Sequence, residues 1–365
     1  MKVICIGDYV NAISVFESFS RVGVPHSDFV FIQTSGRNLI GTVFPALTVV
    51  DGGTDLEAQF QKTLENFTEE DEVIHVLPTN EGLHKHFYSL KEFYQGKYPN
   101  FKWKFGPFDP DTIMDKEQFL EFCRPLVPNF VVNYYRYDSE DIKFPIFVKP
   151  KGLKVELKSK YIIRNRQELT ALAEKWDEKF FAENFMLMDL LSTDPRHNIS
   201  VSGYYDSQDY KVQCTTKIVQ HPRTGGSGDV VKALNEFDQE LVTVSLKICE
   251  ALKWEGPFEI EFIRDSNGSL KVNEMNPRFW MQHGLFNWNS NDFTARRMLG
   301  LEVDGCESAV NGKRKAYWIN PLYVVPFSFL LRFKLWRYII FNDVFWPLSF
   351  GDTVKFYSKR LRKWY

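Results

Sequence analysis

One stretch of the chain, residues 257–283, contains two strand-like runs on either side of Asn267-Gly268. Asn-Gly between alternating runs predicts a β-hairpin, because a two-residue type I′ turn needs positive φ at both positions. Counting outward from that turn gives the cross-strand pairs Ser266 with Ser269, Ile263 with Val272, Glu261 with Glu274, and Glu259 with Asn276. The predicted hairpin therefore places two carboxylates directly opposite each other.

The opposed carboxylates can be accommodated in two ways. Opposed residues share one face of a sheet with Cβ atoms about 4.5–5.5 Å apart, so Glu261 and Glu274 repel each other unless a cation lies nearby. Mg²⁺ takes carboxylate and amide oxygens, which predicts Glu261, Glu274 and Asn276 as its ligands. Arg278 follows just beyond the second strand. The alternative is an exposed edge hairpin whose glutamates are solvated.

The first hundred residues alternate between apolar strand-like runs and helical patterns. The runs lie at 2–7, 29–33, 47–51 and 72–78, and the helical patterns at 12–21 and 54–67. This alternation predicts a parallel α/β sheet, although the loop after the first run lacks the GxGxxG of dinucleotide sites. Polar residues at the carboxyl ends of such strands either contact substrate or cap loops: Asp8, Asn11, Thr79 and Asn80.

Two lysines in the next part of the chain are candidates for phosphate contact. A helix is predicted to begin near Asp115, to carry Lys116 in its first turn and to end before Pro125. Residues 144–152 predict a strand with Lys149 inside an apolar run, where a lysine is either a phosphate ligand or a snorkelling side chain. The following loop is either a positive patch suited to polyphosphate or a solvated loop, with Lys151, Lys154, Lys158 and Lys160.

The rest of the chain predicts mainly antiparallel strands. Strands are expected at 161–165, 184–191, 199–206 and 210–220, and helices at 167–180, 237–252 and 292–300. The glycine-rich segment 221–229 predicts a backbone cradle for phosphate or carboxylate, or else a flexible loop. The aromatic tail from Tyr317 is interrupted by prolines and charges, so it predicts no transmembrane span. It suits a helix packed on the body, or docking to a membrane surface.

Composition excludes several classes of protein. The 365 residues predict two or three domains, and their net charge of −2 gives no electrostatic support for nucleic-acid binding. The five cysteines are scattered without CxxC spacing, which predicts a reducing compartment with neither a zinc site nor a disulfide framework. The N-terminus lacks the apolar core of a signal peptide. We therefore expect a cytoplasmic protein, either free or peripheral at a membrane.

The order of these motifs resembles the ATP-grasp superfamily, and within it proteins similar to the carbamoyl-phosphate synthetase large chain. The resemblance lies in HVLPTNEGLHKHF, MDKEQFLEFC, FPIFVKPKG, FMLMDLLSTDPRHNISVSGYYD and IEFIRDSNGSLKVNEMNPRFW, spread over about residues 2–300. These segments resemble, in turn, the end of the substrate-side domain, the helix of the first ATP lysine, the strand of the second, the hinge that meets adenine and ribose, and the metal hairpin. The phosphate lid, glycine-rich in the family, is lysine-rich here.

The resemblance implies both a fold and a set of site residues. The implied fold is α/β and α+β, with a Rossmann-like parallel domain at 1–112, a small lid subdomain at 113–183, a larger antiparallel-sheet subdomain at 184–312 and an aromatic helical extension at 313–365. The implied ATP contacts are Lys116, Lys149, Met188, Asp189, Leu190, Asn198 and Lys217; the Mg²⁺ ligands are Glu261, Glu274 and Asn276; and the catalytic residues are Lys149 and Arg278.

The implied activity is ATP- and Mg²⁺-dependent ligation of a carboxylate to an amine through an acyl phosphate. The carboxylate would be a small molecule, either free or related to cell-surface glycans. One alternative is a kinase of a carboxylate or of bicarbonate that uses a non-amine acceptor, and another is a degenerate scaffold that only binds nucleotide. His283 is either a base or a structural histidine. A homodimer and a membrane contact through the tail are further alternatives for the partners.

Overall fold

The computed structural model describes most of the chain. The described residues are 1–7, 9–34, 39–52, 55–67, 72–106, 109–152, 160–220, 228–236, 238–303, 308–309, 315–320, 344–346 and 351–352. Asp8, Lys154, Lys158, residues 221–227 of the glycine-rich segment and most of the aromatic tail lie outside these ranges. Within the described ranges, no helix has the length and apolar character needed to cross a membrane.

The N-terminal part of the chain is a parallel sheet with helices, as predicted. Its strands are β1 (Lys2–Ile6), β2 (Phe29–Gln33), β3 (Thr48–Asp51), β4 (Ile74–Pro78) and β5 (Phe101–Lys102). Its helices are α1 (Val10–Arg21), α2 (Leu39–Val43), α3 (Leu56–Glu65) and α4 (Glu81–Lys97), with a 3₁₀ turn at His26–Asp28. The strand order is β3-β2-β1-β4-β5. Because the connections reverse direction between β1 and β4, the carboxyl ends of these two strands open a crevice.

A smaller antiparallel sheet follows. It is preceded by α5 (Pro110–Met114), α6 (Lys116–Leu126) and a 3₁₀ turn at Pro128–Phe130. Its elements are β6 (Tyr134–Tyr135), β7 (Ile146–Pro150), β8 (Tyr161–Ile163), α7 (Arg166–Trp176), α8 (Glu178–Asn184) and β9 (Phe185–Asp189). The strand order is β6-β9-β7-β8. Lys149 and Phe147 lie on one face of β7, and Ile146 and Val148 are buried on the other, as the alternation predicted.

Two helix boundaries differ from the prediction. The helix expected before Pro125 instead ends one residue after it, because a proline near the last turn removes a single N–H from the ladder. The single helix expected at 167–180 is two helices, α7 and α8. They are separated at Asp177, whose φ of 69° is left-handed and whose side chain caps α8 by accepting from the Phe180 N–H.

The largest sheet contains the predicted hairpin. Its strands are β10 (Asn198–Tyr205), β11 (Tyr210–Gln220), β12 (Gly228–Ala233), β13 (Gly256–Arg264), β14 (Leu270–Asn276), β15 (Ser308–Ala309), β16 (Tyr317–Ile319) and β17 (Val344–Phe345). Its helices are α9 (Gln239–Ala251), α10 (His283–Asn289) and α11 (Phe293–Leu299), with a 3₁₀ turn at Pro195–His197. The order is β14-β13-β10-β11-β12-β16-β17, and β15 pairs with β11. Tyr317–Ile319, which lies within the extension predicted to be helical, is instead a strand.

The turn of the hairpin is longer than predicted. The Asp265 N–H donates to the Ser269 carbonyl over 2.8 Å, so three residues, 266–268, form the turn instead of two. Gly268, with φ of 85°, supplies the left-handed residue that such a turn needs. The predicted pairing of Ile263 with Val272 is therefore wrong, and Ile263 pairs with Lys271.

A β-bulge restores the predicted register at the acidic residues. Phe262 pairs with Val272 and Glu261 with Glu274, which leaves Asn273 as the extra residue of β14. Glu259 pairs with Asn276, as expected. The register shifts caused by the additional turn residue and by the additional bulge residue cancel each other. The predicted pairing of the two carboxylates is therefore confirmed, although the predicted two-residue turn is wrong.

The apolar face of the large sheet packs toward the N-terminal sheet. One core cluster contains Val3 and Cys5 of β1 together with Phe258, Ile260 and Phe262 of β13. The smaller sheet has its own cluster with α7 and α8. Along the chain the three sheets occupy residues 2–102, 134–189 and 198–345, while the predicted domain boundaries stay predictions. The shared core holds the large sheet's polar face next to the crevice of the N-terminal sheet.

Candidate active site

A cavity of about 850 Å³ lies where the three sheets meet. Among the predicted nucleotide, metal and catalytic residues, those that line it are Lys149, Met188, Leu190, Asn198, Lys217, Glu261, Glu274, Asn276 and Arg278. The first turn of α1 contributes the substrate candidate Asn11 to the lining, and the loop after β4 contributes Thr79 and Asn80. Of these, Asn11 donates from Nδ2 to the Thr79 and Phe279 carbonyls, which is the predicted loop-capping role. The fold thus brings nearly all the predicted residues to one cavity.

Among the predicted nucleotide, metal and catalytic residues, Lys116 and Asp189 do not line the cavity. Lys116 Nζ lies 3.8 Å from Glu274 Oε2, so its charge acts on the cavity through that carboxylate. Asp189 accepts hydrogen bonds from the Tyr135 hydroxyl and from Asn133 Nδ2. Because side chains alternate along a strand, the side chain of Asp189 faces away from the cavity that its neighbours Met188 and Leu190 line.

The floor of the cavity is a row of buried polar residues on the large sheet. Lys217 Nζ donates to both carboxylate oxygens of Glu261, over 2.9 and 3.0 Å. Asn198 Nδ2 donates to Glu261 Oε2 over 3.0 Å, and its Oδ1 is buried with no hydrogen-bond partner in the described part of the protein. On the neighbouring pair, Asn276 Nδ2 donates to Glu259 Oε2 over 2.9 Å. The row therefore supplies oxygen ligands that are already fixed in direction.

Charges crowded into this floor move the pKa values of its groups in opposite directions. Burial acts to raise the pKa of Glu274, but four lysines around it, led by Lys116 and Lys149, lower the value to about 2. Burial, assisted by the charge of Glu261, raises the pKa of Glu259 to about 7. Burial also lowers the pKa of Lys149 to about 7. The cavity thus holds an ionised carboxylate, Glu274, among lysine side chains.

The residues of the floor fit a hard divalent cation. Glu261, Glu274 and Asn276 present two carboxylates and one amide on one face and in one register, which are ligands that Mg²⁺ takes. The unpartnered Asn198 Oδ1 adds a further oxygen close to them. No cluster of three His, Cys, Asp or Glu side chains suited to a metal occurs in the ranges that the structure covers. The predicted metal site therefore needs the amide oxygen of Asn276 as its third ligand. The Lys217 ammonium balances the charge of one of these predicted ligands, Glu261, to which it donates two hydrogen bonds.

Arg278 meets the N-terminal sheet through a residue that the sequence did not single out, Glu81. Arg278 Nη2 donates to Glu81 Oε1 over 2.8 Å. Glu81 opens α4, whose N-cap is Asn80, since the Asn80 Oδ1 accepts from the Leu83 N–H over 2.8 Å. An asparagine followed by a glutamate is a recognisable helix start, and it was the available signal.

Asn273 is a second residue that the sequence did not identify. Lys149 Nζ donates to Asn273 Oδ1 over 2.8 Å and to its carbonyl oxygen over 3.3 Å. The contact depends on the β-bulge, for which the sequence carried no signal.

None of the histidines among the described residues lines the cavity. His283, the candidate base, is 1% exposed and packs against Phe279 and Trp280 at ring-centroid distances of 4.8 and 4.6 Å. Burial lowers its pKa to about 3. These observations favour the structural interpretation of His283.

Comparisons with known proteins identify relatives by structure alone. No protein-family profile matches the chain, and no curated protein matches its sequence. N5-carboxyaminoimidazole synthetase from Staphylococcus aureus, complexed with ADP, superposes with a TM-score of 0.64 at 16% identity over 91% of this chain and 86% of the other. The biotin carboxylase domain of Hydrogenobacter thermophilus 2-oxoglutarate carboxylase, in complex with MgADP, ADP and bicarbonate, gives 0.61 at 15% identity over 83% and 71%.

An L-amino acid ligase from Bacillus licheniformis is also similar, with a TM-score of 0.56 at 16% identity over 82% of this chain and 73% of the other. At such identities the likeness is one of fold.

Proposed function

We propose that this chain, which has the ATP-grasp fold that its motifs predicted, is an ATP- and Mg²⁺-dependent ligase that joins a carboxylate to an amine. Because one fold hosts many activities, the proposal rests on the site. The observation that carries it is one cavity whose lining combines phosphate-suited lysines, a carboxylate–amide metal set and an arginine.

The end of the cavity near the smaller sheet suits a nucleotide. Phe147, Met188 and Leu190 offer apolar walls for a base. Lys149 supplies an ammonium group for the phosphates at this end, and Lys217, on the floor of the cavity beside Glu261, supplies a second. Lys116 offsets part of the negative charge of Glu274. Magnesium held by the floor residues would neutralise the phosphate oxygens as a Lewis acid.

The proposed chemistry has two steps, each of which needs charge stabilisation more than a protein nucleophile. First, a carboxylate oxygen of the substrate attacks the γ-phosphorus of ATP, the bond to the β-phosphate oxygen breaks, and ADP leaves with that electron pair. Next, the amine nitrogen attacks the acyl carbon of the resulting acyl phosphate, inorganic phosphate leaves, and the nitrogen releases a proton. Arg278, which is planar and permanently charged, stabilises the acyl phosphate and the oxyanion that follows.

A second candidate shares the first step and differs in the acceptor. It is a kinase of a carboxylate or of bicarbonate whose activated product meets a non-amine acceptor. One of the structural relatives is in complex with bicarbonate, which favours keeping this candidate. The products separate the two, since only the ligase forms an amide from an added amine.

The test is ADP release by the purified chain with Mg²⁺, in a screen that pairs amino acids, sugar acids and bicarbonate with amines. We expect ADP release that requires one carboxylate, together with an amide product that requires one amine. Binding of ATP by the chain, with no ADP release from any pair, would favour the nucleotide-binding scaffold and reject the ligase.

Removing one metal-facing charge tests the site directly. We expect Glu274→Gln to abolish Mg²⁺-dependent ADP release and to leave the fold intact, because an amide in place of this ionised carboxylate removes a charged metal ligand. The matched control is Glu121→Gln, on the exposed side of α6, which should retain full activity. Unchanged turnover of Glu274→Gln would refute the metal assignment, and circular dichroism checks the fold of both variants.

A further inference from the structure

The β-bulge in the hairpin redirects one side chain into the cavity. In a regular strand, Asn273 and Glu274 would point to opposite faces. Because Asn273 is the extra residue of the bulge, both side chains line the cavity, while Val272 returns to the apolar face opposite Phe262. The bulge therefore adds an amide to a face whose register it also corrects.

That amide meets a lysine from another sheet. Lys149 projects from β7 of the smaller sheet and is 2% exposed, so its ammonium needs acceptors inside the protein. Asn273 supplies two of them, its side-chain oxygen at 2.8 Å and its carbonyl oxygen at 3.3 Å. A lysine has a flexible four-carbon stem with three donors, so these two bonds restrict a group that would otherwise sample several positions.

We propose that Asn273 is a positioning residue that holds the Lys149 ammonium for contact with a nucleotide phosphate, an inference that rests on the proposed function. A neutral amide suits this role because it orients the ammonium without cancelling its charge, which stays available to the phosphate. Within the described residues, Asn273 accepts from Lys149 at two oxygens, which leaves the third donor of the ammonium for a ligand. Asn273 thus links the smaller sheet to the metal-facing strand at the point of phosphate contact.

The test is titration calorimetry of MgATP and of adenosine with Asn273→Leu, whose side chain branches at the same carbon and has no acceptor. Loss of the side-chain bond to a charged group should weaken ATP affinity about tenfold, or about 1.4 kcal/mol. Adenosine carries no phosphate, so its affinity should not change. Asn267→Leu, the same substitution in the turn of the same hairpin, should bind both ligands as the unmodified protein does.

A double-mutant cycle separates positioning from general structure. In a Lys149→Met background, Asn273→Leu should not weaken ATP binding further, because its effect passes through the ammonium. The proposal is overturned if the two substitutions add, if adenosine affinity falls in parallel with ATP affinity, or if Asn273→Leu binds ATP normally. Failure of the unmodified protein to bind ATP would be a different result, one that rejects the proposed function and this inference together.

Discussion

The orientation of Arg278 is set by a residue from a different sheet, Glu81. The two side chains are each 20% exposed, and their ion pair spans 2.8 Å. Removing one partner of a partly desolvated pair leaves the other charge without compensation, which costs more than the intact pair contributes. Because the Asn80 cap fixes the first turn of α4, the N-terminal sheet determines where the guanidinium points.

Neutralising Glu81 should therefore affect chemistry more than nucleotide binding. We expect Glu81→Gln to fold and to lower kcat for ADP release about tenfold, equivalent to about 1.4 kcal/mol of transition-state stabilisation. The KM for ATP should stay unchanged, because Glu81 pairs with Arg278, to which the proposed mechanism gives a role in the chemical steps and none in nucleotide binding. Steady-state kinetics measure both constants. Glu92→Gln, on an exposed position of α4, is the matched control, and a raised KM for ATP with unchanged kcat would contradict the prediction.

At the scale of the elements, the strands of the hairpin could be predicted from the sequence and its turn could not. Alternation of apolar and polar residues predicted both strands and the pairing of Glu261 with Glu274, which the structure confirms. The prediction of a two-residue turn was wrong because the Asp265 carboxylate accepts from the Asn267 and Ser269 N–H groups, each over 2.9 Å, and so stabilises a three-residue turn. Such side-chain competition for backbone donors is invisible to a pattern of hydrophobicity.

Helix α4 was not predicted, also because a pattern of hydrophobicity misses the role of a polar side chain. Its buried face consists of Leu83, His84, Phe87 and Tyr94, and a histidine counts as polar in any hydrophobic periodicity. With α4 missing from the prediction, Glu81 could not be placed next to Arg278. Pairings between distant segments, such as that of Asn273 with Lys149, depend on how sheets pack and were equally out of reach.

The start of helix α6 provides a test at the same scale. The Asp115 carboxylate caps α6 by accepting from the Glu117 and Gln118 N–H groups, each over 3.0 Å. We expect Asp115→Ala to lower the free energy of unfolding by about 1 kcal/mol, while Asp115→Asn, which preserves the cap, changes it by a few tenths at most. Chemical denaturation measures both. Equal destabilisation by the two variants would mean that the charge and not the cap is responsible.

At the scale of the whole molecule, a buried histidine joins the N-terminal sheet to the rest. His84 is fully buried between Phe105 and Trp254, at ring-centroid distances of 4.8 and 6.1 Å. Burial lowers its pKa from 6.5 to about 3, against a smaller raising effect of a hydrogen bond with the Pro277 backbone. The contact between the two parts of the chain therefore requires a neutral imidazole.

This requirement predicts how stability changes with pH. Between about pH 6.5 and 3 the unfolded chain binds more protons at His84 than the folded chain does, so the free energy of unfolding falls as pH falls. We expect thermal unfolding to show a shallower decrease of Tm from pH 6.5 to 4 for His84→Phe than for the unmodified protein. His86→Phe, on the exposed side of the same helix, should keep the original slope. Identical slopes for all three proteins would contradict the assignment.

The cavity draws its walls from three sheets that follow one another along the chain. No sheet can complete it alone, so any molecule that fills it acts as a non-covalent cross-link between three segments of the chain. Opening any one of these segments releases the ligand. The free energy of that opening is therefore raised by RT ln(1 + [L]/Kd) when ligand is present. Amide hydrogens in the three sheets, which can exchange in independent local openings without ligand, should then exchange as a single cooperative unit.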